Sequence, residues 1–162
     1  MNPMSLCCLA AAVVLAACAS PGPADLKPGA TAAEISAQMG SPRATYALPN
    51  GGKRLEFAGR GARTYMLDVD AAGRLVDAIQ VLNEDNFRNI RAGMTREQVL
   101  MTLGQPHQIG PGGRMGGQIW SYHFQNTQCL WFQVAIGDDG RTPGVGTQTL
   151  IPACMNAGGG GP

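Results

Sequence analysis

Groups able to do chemistry are sparse in this chain. His107 and His123 are its two imidazoles, Asp68 and Asp70 flank Val69, and Cys129 and Cys154 stand alone late in the sequence. Neither histidine has a second ligand at useful spacing, so no metal is expected. Paired carboxylates can divide acid and base work, but no nucleophile or third group accompanies Asp68 and Asp70. They read as solvated residues beside a turn. The glycine-rich stretch 110–117 lacks the Gly-Lys-Ser/Thr ending of a phosphate loop and reads as a flexible connector. No catalytic residue and no cofactor is expected.

The role of the cysteines depends on compartment. Residues 6–17 form an unbroken apolar run of about a dozen, too short to span a bilayer and suited to the core of a signal peptide. Leu15-Ala16-Ala17-Cys18 closes it and resembles the lipobox of bacterial lipoproteins, in which the cysteine is diacylated and then becomes the first residue. The alternative is a secretory peptide cleaved there with Cys18 unmodified. Acyl chains contribute about 0.8 kcal/mol per buried methylene, so several make a nearly permanent anchor. Ala19, in the position after the lipobox, by that resemblance favours the outer membrane. Cys7 and Cys8 leave with the signal and Cys18 takes lipid, which leaves Cys129 and Cys154 as an even pair. In an oxidising compartment their default is a disulfide. It closes a loop of about 25 residues, worth roughly 3 kcal/mol. The alternative, a reactive Cys129 served by His107 or His123, needs a reduced thiol there.

The elements that position these groups are written as an internal repeat. Gly93-Met94-Thr95, then Val99, Leu103, Gly104 and Pro106, matches Gly29-Ala30-Thr31, then Ile35, Met39, Gly40 and Pro42 at one ungapped interval. Each set specifies a short helix: Thr31 or Thr95 as N-cap, Glu34 or Gln98 closing a capping box, glycine at the exit, proline forbidding continuation. Met94 is placed to staple onto Val99. Strands are expected over residues 54–57, 64–69 and 75–82, and again over 119–124, 129–136 and 147–152, with Asp70 to Gly73 and Asp138 to Arg141 as hairpin turns. A further short helix is expected over residues 84–90. The fold class is α+β: two tandem units, each a helix plus a three-stranded antiparallel sheet, with the helices on one face.

The organisation follows: signal peptide 1–17, tether 18–28, degenerate first repeat 29–82, second repeat 83–154 and a frayed tail 155–162. With 12 basic and 11 acidic residues there is no electrostatic case for nucleic acid. Charged residues make up only 14%, against 23 Gly and 11 Pro, which suits turn-rich β structure rather than a helical bundle.

The second repeat resembles the SmpA/OmlA lipoproteins, also called BamE. The residues that carry the resemblance are Arg91 to Val99, Leu103-Gly104-Gln105-Pro106, Ile119-Trp120-Ser121-Tyr122 and Asp139-Gly140-Arg141. It implies a noncatalytic, lipid-anchored protein on the periplasmic face of the outer membrane. Its partners would be outer-membrane lipid and another envelope protein, a subunit of the barrel-assembly machine. The tandem arrangement is also similar to β-lactamase inhibitor proteins, whose paired repeats form a concave sheet that grips an enzyme. Gly93, Met94, Thr95, Val99, Leu103, Gly104 and Pro106 are markers of the fold. Alternation separates Trp120, Tyr122 and Phe124 from Ser121 and His123, and Trp131 from Phe132. Some of these aromatics must face away from the helices, so Trp120, Tyr122, Trp131 and Phe132 are candidate partner contacts; between two packed sheets they would instead be core.

Overall fold

In the computed structural model, residues 22–152 and residue 154 are described. Cys18 and the apolar run before it lie outside them. The first repeat runs α1 (Ala32–Met39), β1 (Ala44–Ala47), β2 (Lys53–Gly59), β3 (Arg63–Val69) and β4 (Leu75–Gln80). The second runs α2 (Glu84–Phe87), α3 (Arg96–Leu103), β5 (Gln108–Pro111), β6 (Gln118–His123), β7 (Leu130–Ile136) and β8 (Thr147–Leu150). Two separate antiparallel sheets result, ordered β1-β2-β3-β4 and β5-β6-β7-β8.

Both helix caps form as the sequence specifies. The Glu34 amide donates to Thr31 Oγ1 (3.3 Å) while Glu34 Oε2 accepts from the Thr31 amide (2.7 Å). Gln98 and Thr95 repeat this at 3.3 and 2.8 Å. At the exits, Gly40 and Gly104 have φ of 77° and 81°. Backbone bonds outside the motif repeat as well. The Gly29 amide donates to Leu75 O and the Gly93 amide to Thr142 O, each at 2.7 Å. Leu75 returns a bond to Ala30 O and Thr142 one to Met94 O, each at 2.9 Å. Arg74 and Arg141 both leave their hairpins to donate to the carbonyl of the glycine before the cap, Gly29 or Gly93. The duplication is therefore structural as well as sequential.

Each sheet has four strands, not the three expected. The extra ones, β1 and β5, follow immediately on the Gly-x-Pro stop of each helix. There the chain reverses against the next strand, with the Arg43 amide donating to Glu56 O (2.7 Å) and the His107 amide to Ser121 O (2.9 Å). Ala-Thr-Tyr-Ala and Gln-Ile-Gly-Pro carry too few apolar residues to show a period of two. Pro111 is tolerated because β5 is an edge. The stretch 111–117 is correspondingly shorter as a loop, with Pro111 in β5 and a 3-10 turn at Gly113–Met115.

Helices on one face holds for the second sheet and fails for the first. Ile35 and Met39 of α1 bury against Phe57, Leu67, Val69 and Leu75. Met66, on the opposite face of β3, joins Val81 and Leu82 in a core with Val99 and Leu103 of α3. The same core takes Trp120, Tyr122, Phe124, Phe132, Val134 and Ile136 from the second sheet. The layers are thus α1, first sheet, α2 with α3, second sheet. The first sheet is covered on both sides because β3 buries neighbours of both parities, Met66 and Leu67.

Candidate functional site

Three surfaces bring polar groups together. The first is the seam between the repeats. Glu56 is fully buried in β2, among apolar strand residues. Its carboxylate accepts the Gln105 amide at 3.0 Å to each oxygen and the Tyr46 hydroxyl at 2.8 Å, with Arg43 at 3.6 Å. Burial, then the bond to Glu56, pushes the Tyr46 hydroxyl well above its usual range. Tyr122, which donates to Gly104 O at 3.2 Å, is also raised, by burial first and then by the charge of Glu56. Nearby, Arg54 grips both oxygens of Asp68 at 2.7 Å and donates to Met101 O at 2.8 Å, near the C-terminus of α3. The bond to Asp68 holds the Arg54 guanidinium more firmly charged. Asp68 is therefore half of a partly buried clamp, not a solvated turn residue. Asp70 does serve the turn, accepting the amides of Ala72 and Arg74 at 2.9 Å.

The second surface is the face of the second sheet turned away from α3. His107, His123 and Trp131 stack in a row, with ring centroids 5.1 and 5.3 Å apart. His107 Nδ1 accepts the His123 backbone amide at 3.2 Å. Partial burial, then the neighbouring His123 and Arg43 charges, lowers the His107 pKa. Beside the stack, Gln133 donates to Ser121 Oγ (2.9 Å) and accepts from Thr149 Oγ1 (3.0 Å). Cys129 and Cys154 are bonded, their Cα atoms 6.4 Å apart, within the span a disulfide bridges. The bond ties the start of β7 to the chain just beyond β8. No group of three or more His, Cys, Asp or Glu able to hold a metal occurs among the described residues.

The aromatics divide differently from expectation. Trp120, Tyr122 and Phe132 are core residues, not surface anchors: Tyr122 is fully buried, and Phe132 stacks on Phe87 at 4.1 Å. They share one strand face, and the α2–α3 layer claims that face. Trp131 lies on the other side with His123, and is itself nearly buried. Of the fold markers, Val99 and Leu103 are fully buried, Met94 packs against their core, and Gly93 and Gly104 adopt positive φ. The seam residues Glu56, Arg43 and Tyr46 were not legible as a site. Within Leu55-Glu56-Phe57, alternation assigns Glu56 to solvent, since a sequence cannot show that a second layer covers that side.

The third surface is a cavity of about 500 Å³ between α2 and the edge strand β8. Phe87, Ile90 and Phe132 form its floor, with Arg88, Arg91 and Gln148 around it. Ile90 ends the sequence segment expected as helix, while α2 stops at Phe87. A larger polar hollow of about 800 Å³ lies by the start of α1, lined by Lys27, Thr31, Glu34 and Arg74 among others.

The architecture is that of a two-repeat α+β protein whose polar clusters join elements to one another. Residues 79–129 match the family model described as the outer membrane protein assembly factor BamE domain. That stretch holds α2, α3, β5 and β6, and so the whole Gly-Met-Thr helix motif; of the first repeat it takes in only residues 79–82. No curated protein and no solved structure matches the chain significantly.

Proposed function

We propose that this chain is a noncatalytic accessory protein, held by lipid on Cys18 at the periplasmic face of the outer membrane, that supports assembly of β-barrel proteins. The observation that carries the reading is the BamE-domain match over residues 79–129, centred on the capped helix α3. Tethering is the mechanism: confinement to a thin layer raises the effective concentration of the protein toward a membrane-bound partner. The sheet edges and the solvent-facing rim of α2 are then the surfaces offered to that partner. Among the described residues the two sheets are separate, which favours this reading over a clamp built on one concave sheet.

Two measurements test this. After extraction in mild detergent, the tagged chain should co-purify with barrel-assembly subunits; a stoichiometric hydrolase in their place would support the clamp instead. Cys18→Ala should move the protein from the outer-membrane fraction to the soluble or inner-membrane fraction. Its full retention in the outer membrane would remove the acyl anchor from the account.

A further inference from the structure

Two sheets expose four edge strands, and an unpaired edge is a template for another strand unless something blunts it. β4 carries Asp77 and faces a register shift at Asp68/Val69. β5 ends in Pro111. β1, as short as β8 and likewise flanked by prolines, presents no exposed large apolar side chain. β4 and β5 also expose large apolar side chains, Val76, Ile79 and Ile109, but β8 borders the cavity of about 500 Å³. No Asp, Glu, Lys or Arg follows Arg141 in the sequence, so the whole edge is uncharged. Val145 and Leu150 beside and within it are 65% and 51% exposed.

The ladder shows which groups β7 does not take. Ile151 donates its amide to Cys129 O at 2.9 Å, so bonded pairs recur at Thr149 with Trp131 and Thr147 with Gln133. Gln148 and Leu150 consequently turn their N–H and C=O groups outward. Gly146 starts this edge flush against the core, since a Cβ there would collide with the Phe132 ring. Gln148 pairs with Phe132, so its side chain lies on the helix side, where it lines the cavity of about 500 Å³. A strand laid against β8 would place one alternate side chain over that cavity. Its rim charges balance in number, Arg88 and Arg91 against Glu84 and Asp85, but they are not evenly paired. Arg88 is paired with Asp85 at 2.9 Å and Glu84 lies close by, whereas the Arg91 guanidinium makes no ion pair among the described residues and donates to Ile90 O.

We infer that β8 and the cavity beside it form a strand-addition site for an extended segment of a partner polypeptide. That segment bears a large apolar side chain opposite Gln148 and a carboxylate within reach of Arg91. Backbone pairing with Gln148 and Leu150 supplies affinity, and the pocket and Arg91 supply selection. The inference deepens the accessory reading by naming its contact surface, and rests on that reading only for who the partner is.

The test uses the full chain in detergent and an acetylated, amidated peptide, Thr-Val-Thr-Phe-Thr-Asp-Thr. Binding should slow hydrogen exchange at the Gln148 and Leu150 amides, which exchange freely beforehand. Gln148→Pro removes one outward N–H without touching the ladder to β7, and should weaken binding about tenfold. Gln148→Ala keeps that N–H and should bind several-fold more tightly than Gln148→Pro. Arg91→Glu should weaken the Asp peptide several-fold and favour a version with Lys in its place, a reversal that misfolding cannot produce. Equal binding by parent and Gln148→Pro, unchanged exchange at both amides, or a dimer of this chain formed through β8 in place of peptide binding would each overturn the site. Co-purification with assembly subunits reports separately: its loss while the peptide still binds removes the accessory reading and leaves the site.

Discussion

Glu56 shows how much one buried side chain does here. Its carboxylate is an acceptor for the amide that follows the helix exit and for a tyrosine hydroxyl from the neighbouring strand. Glu56→Ala leaves the Gln105 amide and the Tyr46 hydroxyl without that acceptor inside the seam. An unpaired buried polar group costs about 1–3 kcal/mol, so the urea midpoint should fall by more than a surface Glu→Ala control on the same chain. A midpoint within error of that control would mean the seam opens to water. His107 gives the pH dependence at this scale. Its folded pKa lies below the ordinary 6.5, so near and below that pH the unfolded chain binds more protons than the folded one, and stability falls as pH drops. The loss should begin around pH 6.5 and continue down through the lower folded value. His107→Gln should flatten that limb of a plot of urea midpoint against pH; an unchanged slope would assign it elsewhere. Neither residue announces its role in the sequence. The alternation around Glu56 points it outward, and the His107–His123 stack joins residues on different strands, which spacing alone does not bring together.

At the scale of the element, the helices were the readable part and the edge strands were not. Cap, box, exit and stop are local chemistry: each is fixed by residues within one or two turns, so α1 and α3 fall where Thr31 and Thr95 set them. The inner strands carry enough alternating apolar residues to be seen. β1 and β5 exist because a neighbouring strand accepts them, a tertiary cause that four-residue segments cannot encode. The two helix exits also differ in a way the repeat conceals. Gly40 and Gly104 share a positive φ with ψ near −151° and −168°, a region essentially reserved for glycine, where another residue costs about 1–3 kcal/mol. A Cβ at Gly40 would meet nothing within 4 Å, whereas one at Gly104 would lie 2.9 Å from Glu56 Cδ and 3.0 Å from Thr64 Cγ2. Gly104→Ala should therefore destabilise the protein clearly more than Gly40→Ala in paired denaturation curves. Equal losses would show that Glu56 can yield, and that the second glycine serves its own turn alone.

At the scale of the whole molecule, the duplication does not make two independent domains. The first repeat lends its second sheet face to the helix layer of the other repeat, so α2 and α3 are covered from both sides. Met66, Val81 and Leu82 complete a core whose other buried members run from Phe87 onward. Arg54 to Met101 and Glu56 to Gln105 cross the same boundary. The family match ends at residue 129 and begins at 79, yet the physical unit is larger than the matched one, because its helices have a second wall. That wall was beyond the sequence: residues 54, 56, 64 and 66 read as a solvent-facing row when taken strand by strand. The consequence is cooperative unfolding. If the seam is core, calorimetry of the full chain should give one transition whose calorimetric and van't Hoff enthalpies agree. Met66→Ala, which removes a buried side chain worth about 2–5 kcal/mol, should lower that single transition as a whole. Were Met66→Ala instead to split the trace, with the second repeat melting where it did before, the two repeats would be neighbours on a string and the shared core would carry no coupling between them.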